Sequence, residues 1–308
     1  MSTVTVLGSV NMDLVVRVPS LPHPGDTVLG DRLLTIGGGK GANQAAAAAR
    51  LGARVRMVAR FGDDAFGQQL LEELEGDDVD VLFTFDAGTP SGAALILVDD
   101  RGQNIVAVAP GANAKVDLDD VARFARLLRP GDVAVLQLEI PIQAIEGAVA
   151  AAREARAVVV LNAAPADALL GRDMPEVDVL ILNEGETRAL TGDDDVESAA
   201  ARLALQAGSV IVTLGERGAL LRSRVGSSRI EPYSVHTVDT TAAGDAFVGG
   251  VAAGLSFGMP LVEAARLGSA AGAAAATKVG ARDSLPHSDD LRRMFGIDVA
   301  TLRARRRR

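Results

Sequence analysis

The sequence predicts an α/β protein of three layers, αβα, with a mainly parallel central sheet and a small antiparallel β lid. Three observations carry this. Short runs rich in Val, Ile and Leu alternate with alanine-rich stretches of helical period along the 308 residues. The strand candidates are continuously apolar, as strands covered on both faces are. Two segments, 12–39 and 91–112, break the rhythm with extended runs and little helical signal.

In chain order, "VTVLGSV" (4–10) reads as the first strand and "GANQAAAAARLGA" (41–53) as a helix. "RVRMVARFG" follows as a strand, then "AFGQQLLEELEG" as a helix stopped by its glycine. "DVAVLQLEIP" (132–141), "AVVVLNAAP" (157–165), "VDVLILNEGE" (177–186) and "SVIVTLGERGALL" (209–221) are further buried-strand candidates. Helical stretches such as "AIEGAVAAAREA" (144–155) and "ESAAARLALQAG" (197–208) separate them. In 91–112, "DDRG" is a turn between two strands, and with 12–39 this material suits a lid beside the strand ends. One catalytic domain over 1–308 is expected, ending in a disordered basic tail at 300–308.

Composition excludes several function classes. Hydrophobic residues are 48% and aromatics only 3%, so the core is built largely from small side chains and its helices pack closely. A net charge of −9 argues against nucleic acid as a partner. The exception is "LRARRRR" at 302–308, read as a solvated terminus. The chain has no cysteine and three histidines, which leaves no thiolate or histidine-rich metal site. "MSTVTVLGSV" lacks the basic region and long apolar run of a signal peptide, and no stretch suits a bilayer. The expected location is the cytoplasm, with no membrane partner.

Five motifs carry chemistry. In "DTTAAGDAF" (239–247), small residues stand at the mouth of an apolar helix, where unpaired N–H groups and the helix dipole favour an anion. Asp245 lies in the first turn, placed to take a hydroxyl proton or simply to start the helix. "GGGKGANQA" (37–45) is no Walker A loop, since Leu34 and Gly41 stand where Gly and Ser or Thr are needed, and it is no dinucleotide fingerprint. Its bare backbone, Lys40 and Asn43 suit a polyhydroxyl ligand, or a flexible loop. In "GSVNMDLVV" (8–16), Asn11 and Asp13 point to one side of an extended segment and can bind vicinal hydroxyls, or they sit in a turn. Glu139 in "LQLEIP", and Asn183 and Glu186 in "NEGE", follow apolar strands, where ligand residues gather in open sheets. Glu186 could hold a water of Mg²⁺. "TLGERG" (213–218) ends another strand, as a nucleotide contact or a hairpin turn.

Together these segments resemble the ribokinase-type carbohydrate kinases, in the family's order and over roughly residues 4–286; "GGKGANQ" and "DTTAAGDAF" are its most specific parts. The resemblance implies ATP-dependent phosphorylation of the 5-hydroxyl of D-ribose. By resemblance, Asp245 is the catalytic base, and the amides of Ala242, Ala243, Gly244 and Asp245 are an anion hole. Asn11, Asp13, Gly39, Lys40, Asn43 and Glu139 match ribose-binding positions. Asn183 and Glu186 match the phosphate and magnesium region, and Thr213, Gly215 and Gly218 part of the ATP site. A monovalent cation, usually K⁺, is implied at Asp239, Thr241, Ala275, Lys278, Gly280 and Ser284. Ser269 stands where some relatives carry a larger polar residue. The family also implies a homodimer through the lid. The alternatives are a kinase of the same superfamily for deoxyribose, a nucleoside or a hexose, and a non-catalytic sugar sensor. Against the sensor stand Asp245 and an intact "AAG".

Overall fold

The structure, a computed structural model, describes residues 2–304. Its first half contains β1 (Val4–Leu7), β2 (Asn11–Val18), β3 (Leu33–Gly38), α1 (Lys40–Arg50), β4 (Val55–Gly62), α2 (Ala65–Gly76), β5 (Val79–Asp86), β6 (Gly92–Asp99), β7 (Asn104–Ala109), α3 (Leu118–Leu127), β8 (Val133–Gln137) and α4 (Ile142–Glu154). There follow β9 (Val158–Asn162), β10 (Val179–Asn183), α5 (Glu184–Thr191), α6 (Val196–Leu203), β11 (Ser209–Thr213), β12 (Ala219–Ser223), β13 (Gly226–Ile230), α7 (Ala243–Ser256), α8 (Leu261–Ala275), α9 (Ser288–Phe295) and α10 (Val299–Ala304).

Nine strands form the main sheet in the order β13-β12-β11-β10-β9-β8-β1-β4-β5. From β11 to β5 every pairing is parallel, and β12 runs antiparallel to both its neighbours. Period-2 geometry explains the three layers. On β1, Val4 and Val6 join a core with α1, α7 and α8, whereas Leu7 joins one with α3, α4 and α6. Strand β1 is the switch point, with β4 on one side and β8 on the other. Open α/β sheets bind ligands in the crevice outside the carboxyl ends at such a point. The predicted single strand over 209–221 resolves into the β11–β12 hairpin, with "TLGERG" at its turn.

The lid is a second sheet, ordered β3-β2-β6-β7. Two antiparallel hairpins, β2–β3 and β6–β7, meet through a parallel pairing of β2 with β6. Edge strand β7 is exposed along its length. Residues 300–304 of the expected disordered tail instead complete α10, anchored by Arg303 Nη1 donating to Gly52 O at 3.0 Å; residues 305–308 lie outside the described residues. Among the described residues no helix is long and apolar enough to cross a membrane.

Candidate active site

The site is assembled by two helices that approach unusually closely. A Cβ added to Gly249 of α7 would sit 2.5 Å from Ala47 Cβ and 2.9 Å from Gln44 O of α1. That contact brings the start of α1 to the start of α7. Asn43 Nδ2 donates to Asp245 Oδ2 and Gln44 Nε2 to Asp245 Oδ1, each at 3.0 Å. Asp245 is only 8% exposed, so both carboxylate oxygens are held inside the protein. Gln44 Nε2 also donates to Asn162 Oδ1 at 2.9 Å, and Gln137 Nε2 donates to Gln44 Oε1 at 2.8 Å. Asn162 Nδ2 closes the chain on Ile181 O at 3.1 Å. This buried amide relay fixes the Asp245 rotamer. Sequence reasoning missed Gln44, Gln137 and Asn162. Their signal was polarity at the ends of otherwise apolar strands and inside an alanine helix.

The mouth of α7 has no side-chain cap. The residue before it, the N-cap Ala242, takes the left-handed conformation with φ 57°, which costs a non-glycine residue roughly 1 kcal/mol. Ala243 N–H turns back onto Thr240 O at 3.2 Å. The amides of Ala242, Gly244 and Asp245 have no acceptor among the described residues. Of the four amides expected to receive an anion, three thus have no acceptor, and Ala243 N–H bonds within the turn. A Cβ built on Gly244 meets nothing within 4 Å, so the space above it is open to a ligand.

A crevice of roughly 210 Å³ opens there, lined by Lys40, Asn183, Glu186, Thr213, Ala242, Gly244 and Asp245, with Asn162 and Thr240 beside them. Gly215 and Gly218 do not line it; they shape the hairpin turn, where a Cβ on Gly218 would lie 2.1 Å from Ile230 O. Asn183 and Glu186 form a capping box on α5, each side chain accepting the other's backbone N–H at 2.8 Å. Burial first, then the Asp245 charge, pushes the Glu186 carboxyl above its usual range, against opposing pulls from the Asn183 amide and Lys40.

On the lid side, Asn11 and Asp13 are buried on β2. Asn113, another residue not singled out, donates to Asn11 Oδ1 at 2.7 Å and clamps Val10 through both N–H and C=O at 2.9 Å. The glycines of "GGGKG" were expected to bare backbone for a ligand, but the protein's own strand takes much of that room. Gly39 sits at φ 88°, and a Cβ there would lie 2.7 Å from Asn11 N. Glu139 Oε2 accepts Ser9 Oγ–H at 2.6 Å and Lys40 N–H at 3.0 Å, capping α1 from a distance. Lys40 Nζ stands 4.0 Å from its other oxygen. Buried Asn43 Oδ1 has no partner, an acceptor awaiting a donor.

Burial, reinforced by Glu139 and Asp245, raises the Asp13 carboxyl to about 7. Burial works to lower the Lys40 ammonium, but the surrounding carboxylates, led by Asp245 and Glu139, outweigh it and hold the group above its ordinary value.

The predicted cation residues are partly brought together. Asp239 Oδ1 accepts from Thr241 N at 2.9 Å and Thr241 Oγ1 at 2.7 Å, and Oδ2 accepts from Gly280 N at 2.9 Å. Burial opposes the Asp239 charge, yet these bonds hold its carboxyl below the usual range. Ala275 ends α8, and the Lys278 side chain turns to Asp290 at 3.5 Å. Buried Ser284 Oγ donates to Ala281 O at 2.8 Å. No cluster of three or more His, Cys, Asp or Glu able to hold a metal exists among the described residues.

Comparison with known proteins shows the family. The chain is 37% identical over 295 residues to the ribokinase of Haemophilus influenzae, covering 92% of this chain and 95% of that one. The ribokinase of Thermotoga maritima superposes with a TM-score of 0.87 at 33% identity, over 96% of this chain and all (100%) of the other. That of Arabidopsis thaliana, complexed with ribose and ATP, gives 0.81 at 30% identity over 98% and 99%. The profile of the pfkB family carbohydrate kinases matches residues 1–288. With a buried, doubly anchored carboxylate at an uncapped helix mouth, and a match across nearly its whole length, the chain belongs to the pfkB family of carbohydrate kinases.

Proposed function

We propose that this enzyme phosphorylates D-ribose on its 5-hydroxyl, with ATP as donor. The observation that carries the reading is Asp245, buried and held by Asn43 and Gln44 beside the unpaired amides of Gly244 and Asp245. The similar ribokinases named above, one of them bound to ribose and ATP, support the choice of substrate. Asn11, Asp13, Lys40, Asn43 and Glu139 face the sugar, and the orphan Asn43 Oδ1 suits a hydroxyl donor. As the 5-oxygen attacks the γ-phosphorus, Asp245 takes its proton and the bond to the β-phosphate oxygen breaks, releasing ADP. The amides of Ala242, Gly244 and Asp245 stabilise the negative charge that develops on the transferred group.

Thr213 and the β11–β12 turn, with Gly215 and Gly218, form the nucleotide side. The site sets Asp13, Glu139, Glu186 and Asp245 against Lys40 and, beside Asp13, Arg282, so a tetra-anionic nucleotide needs a companion cation. Mg²⁺ would arrive with the nucleotide and neutralise its phosphates, and Glu186 would accept a hydrogen bond from one of its waters. A monovalent cation would be held by oxygens of Asp239, Thr241, Ala275, Lys278, Gly280 and Ser284 and would supply positive potential behind the anion hole. The exposed β7 edge, with Ile105, Val106 and Val108, suits a homodimer through the lid. A cytoplasmic location fits this chemistry, where ATP is plentiful.

The test is ADP release coupled to a detection enzyme, with ribose, 2-deoxyribose and a nucleoside as acceptors, with and without K⁺. Ribose gives the highest kcat/KM, and K⁺ raises turnover. Preference for either other acceptor overturns the assignment.

A further inference from the structure

A second cleft lies at the opposite ends of the central strands of the main sheet. Thr3, Arg54 and Asp132 precede β1, β4 and β8, so it opens at the amino ends of parallel strands, whereas Asp245 serves the carboxyl ends. Its volume is about 960 Å³, within the range of small-molecule sites. Four arginines line it: Arg54, Arg56, Arg129 and Arg303.

Their charge is not spent inside the protein. Arg129 Nη1 donates to the carbonyls of Arg126 and Leu128 at 2.9 and 2.7 Å, and Arg303 Nη1 to Gly52 O. Arg56 has a long bond to Leu127 O at 3.4 Å and a loose pair at 3.6 Å with Asp80, which is 62% exposed. The Arg54 carbonyl accepts Val4 N–H at 2.9 Å, and its guanidinium has no partner among the described residues. The one acid in the lining, Asp132, is 5% exposed and occupied with Thr3 N at 2.7 Å and Arg129 N at 2.9 Å. It secures the loop instead of neutralising a guanidinium. Four arginines and one committed carboxylate therefore line the cleft, with Asp80 loosely paired to Arg56 outside it, in a chain whose net charge is −9.

We propose that this cleft is a binding site for a small anion carrying more than one phosphoryl group. Planar guanidinium forks match phosphate oxygens bidentately. Four forks around a cavity of this size exceed what one phosphate can engage. The net negative charge of the chain disfavours a long nucleic-acid polymer over a compact ligand. Because the cleft and the Asp245 crevice lie at opposite strand ends, their ligands do not compete.

The test is calorimetric titration of inorganic tripolyphosphate into the full chain, with the active site saturated by ribose and a non-hydrolysable ATP analogue. One further equivalent binds. The double variant Arg54→Ser/Arg129→Ser weakens that binding by about tenfold or more, at unchanged melting temperature and ribose turnover. Arg303→Ser alone weakens it less, and guards against misfolding of the double variant. Absence of the extra equivalent overturns the site, as does equal affinity in the double variant. So does loss of binding only when Arg305–Arg308 are all replaced by Ser. Orthophosphate binding as tightly, or a short single-stranded oligonucleotide binding more tightly, overturns the ligand class.

Discussion

Two glycine-rich segments meet at the active site, and their bare backbone serves opposite ends. Around Gly39 an added Cβ would strike Asn11 N and Val10 Cα, so the missing side chain is room that the protein fills with its own strand. Above Gly244 an added Cβ meets nothing, so the missing side chain is room left for something else. Bare backbone in a sequence thus marks either close self-packing or a place reserved for a ligand. Occupancy in the folded chain separates them. Substitutions divide the two accordingly: at the mouth of α7 activity is lost without stability, and at the "GGGKG" turn stability goes first.

The sharpest probe is Asp245→Asn. It keeps the side-chain volume and one acceptor for the Asn43 and Gln44 amides, but removes the proton acceptor. Turnover falls about a thousandfold, while the protein still folds and binds ribose. Near-normal turnover would strip the α7 mouth of its chemical role. Gly244→Ala comes next. A first-turn alanine without a clash leaves stability unchanged or up by roughly 0.4–1 kcal/mol. The methyl enters the ligand's space, and turnover drops by about a hundredfold. If it loses stability and keeps turnover, the comparison is inverted.

Gly39→Ala tests the other half. The left-handed φ of 88° and the backbone contacts at Asn11 and Val10 cost about 2 kcal/mol, read as a lower urea midpoint. An unchanged midpoint would mean that this turn, too, is held open for a ligand.

The main sheet was legible because its strands are buried on both faces and read as unbroken apolar runs; β1 and β8 are buried at every position. The helix mouth was legible because "AAG" before an aspartate is a local pattern. What escaped is non-local. Gln137 and Asn162 each stand as a lone polar residue at a strand end and Gln44 beside Asn43 on α1, and only the strand order shows that they form one relay. The parallel β2–β6 pairing joins segments with no connecting turn, so only the two flanking hairpins could be foreseen. The left-handed Ala242, which turns Ala243 N–H onto Thr240 O, has no signal at all in an alanine.

The two regions also share charge. Asp13, packed against Gly38 where a Cβ would lie 2.3 Å from its Oδ2, has its carboxyl raised from 3.8 to about 7 by burial, then by Glu139 and Asp245. The native state therefore binds more protons than the unfolded chain between those values. Stability attributable to Asp13 is present at low pH and declines as pH rises through that window, by at most about 1.4 kcal/mol per pH unit. Asp13→Asn removes this term. The mutant's stability relative to wild type rises between pH 5 and pH 8, measured by urea unfolding of both proteins across the range. Saturating ribose narrows the gap, because a hydroxyl donated to Asp13 favours the ionised form. A gap that stays flat with pH would mean that Asp13 is already ionised in the empty site, and that the lid strand and the α7 mouth do not repel each other as their geometry requires.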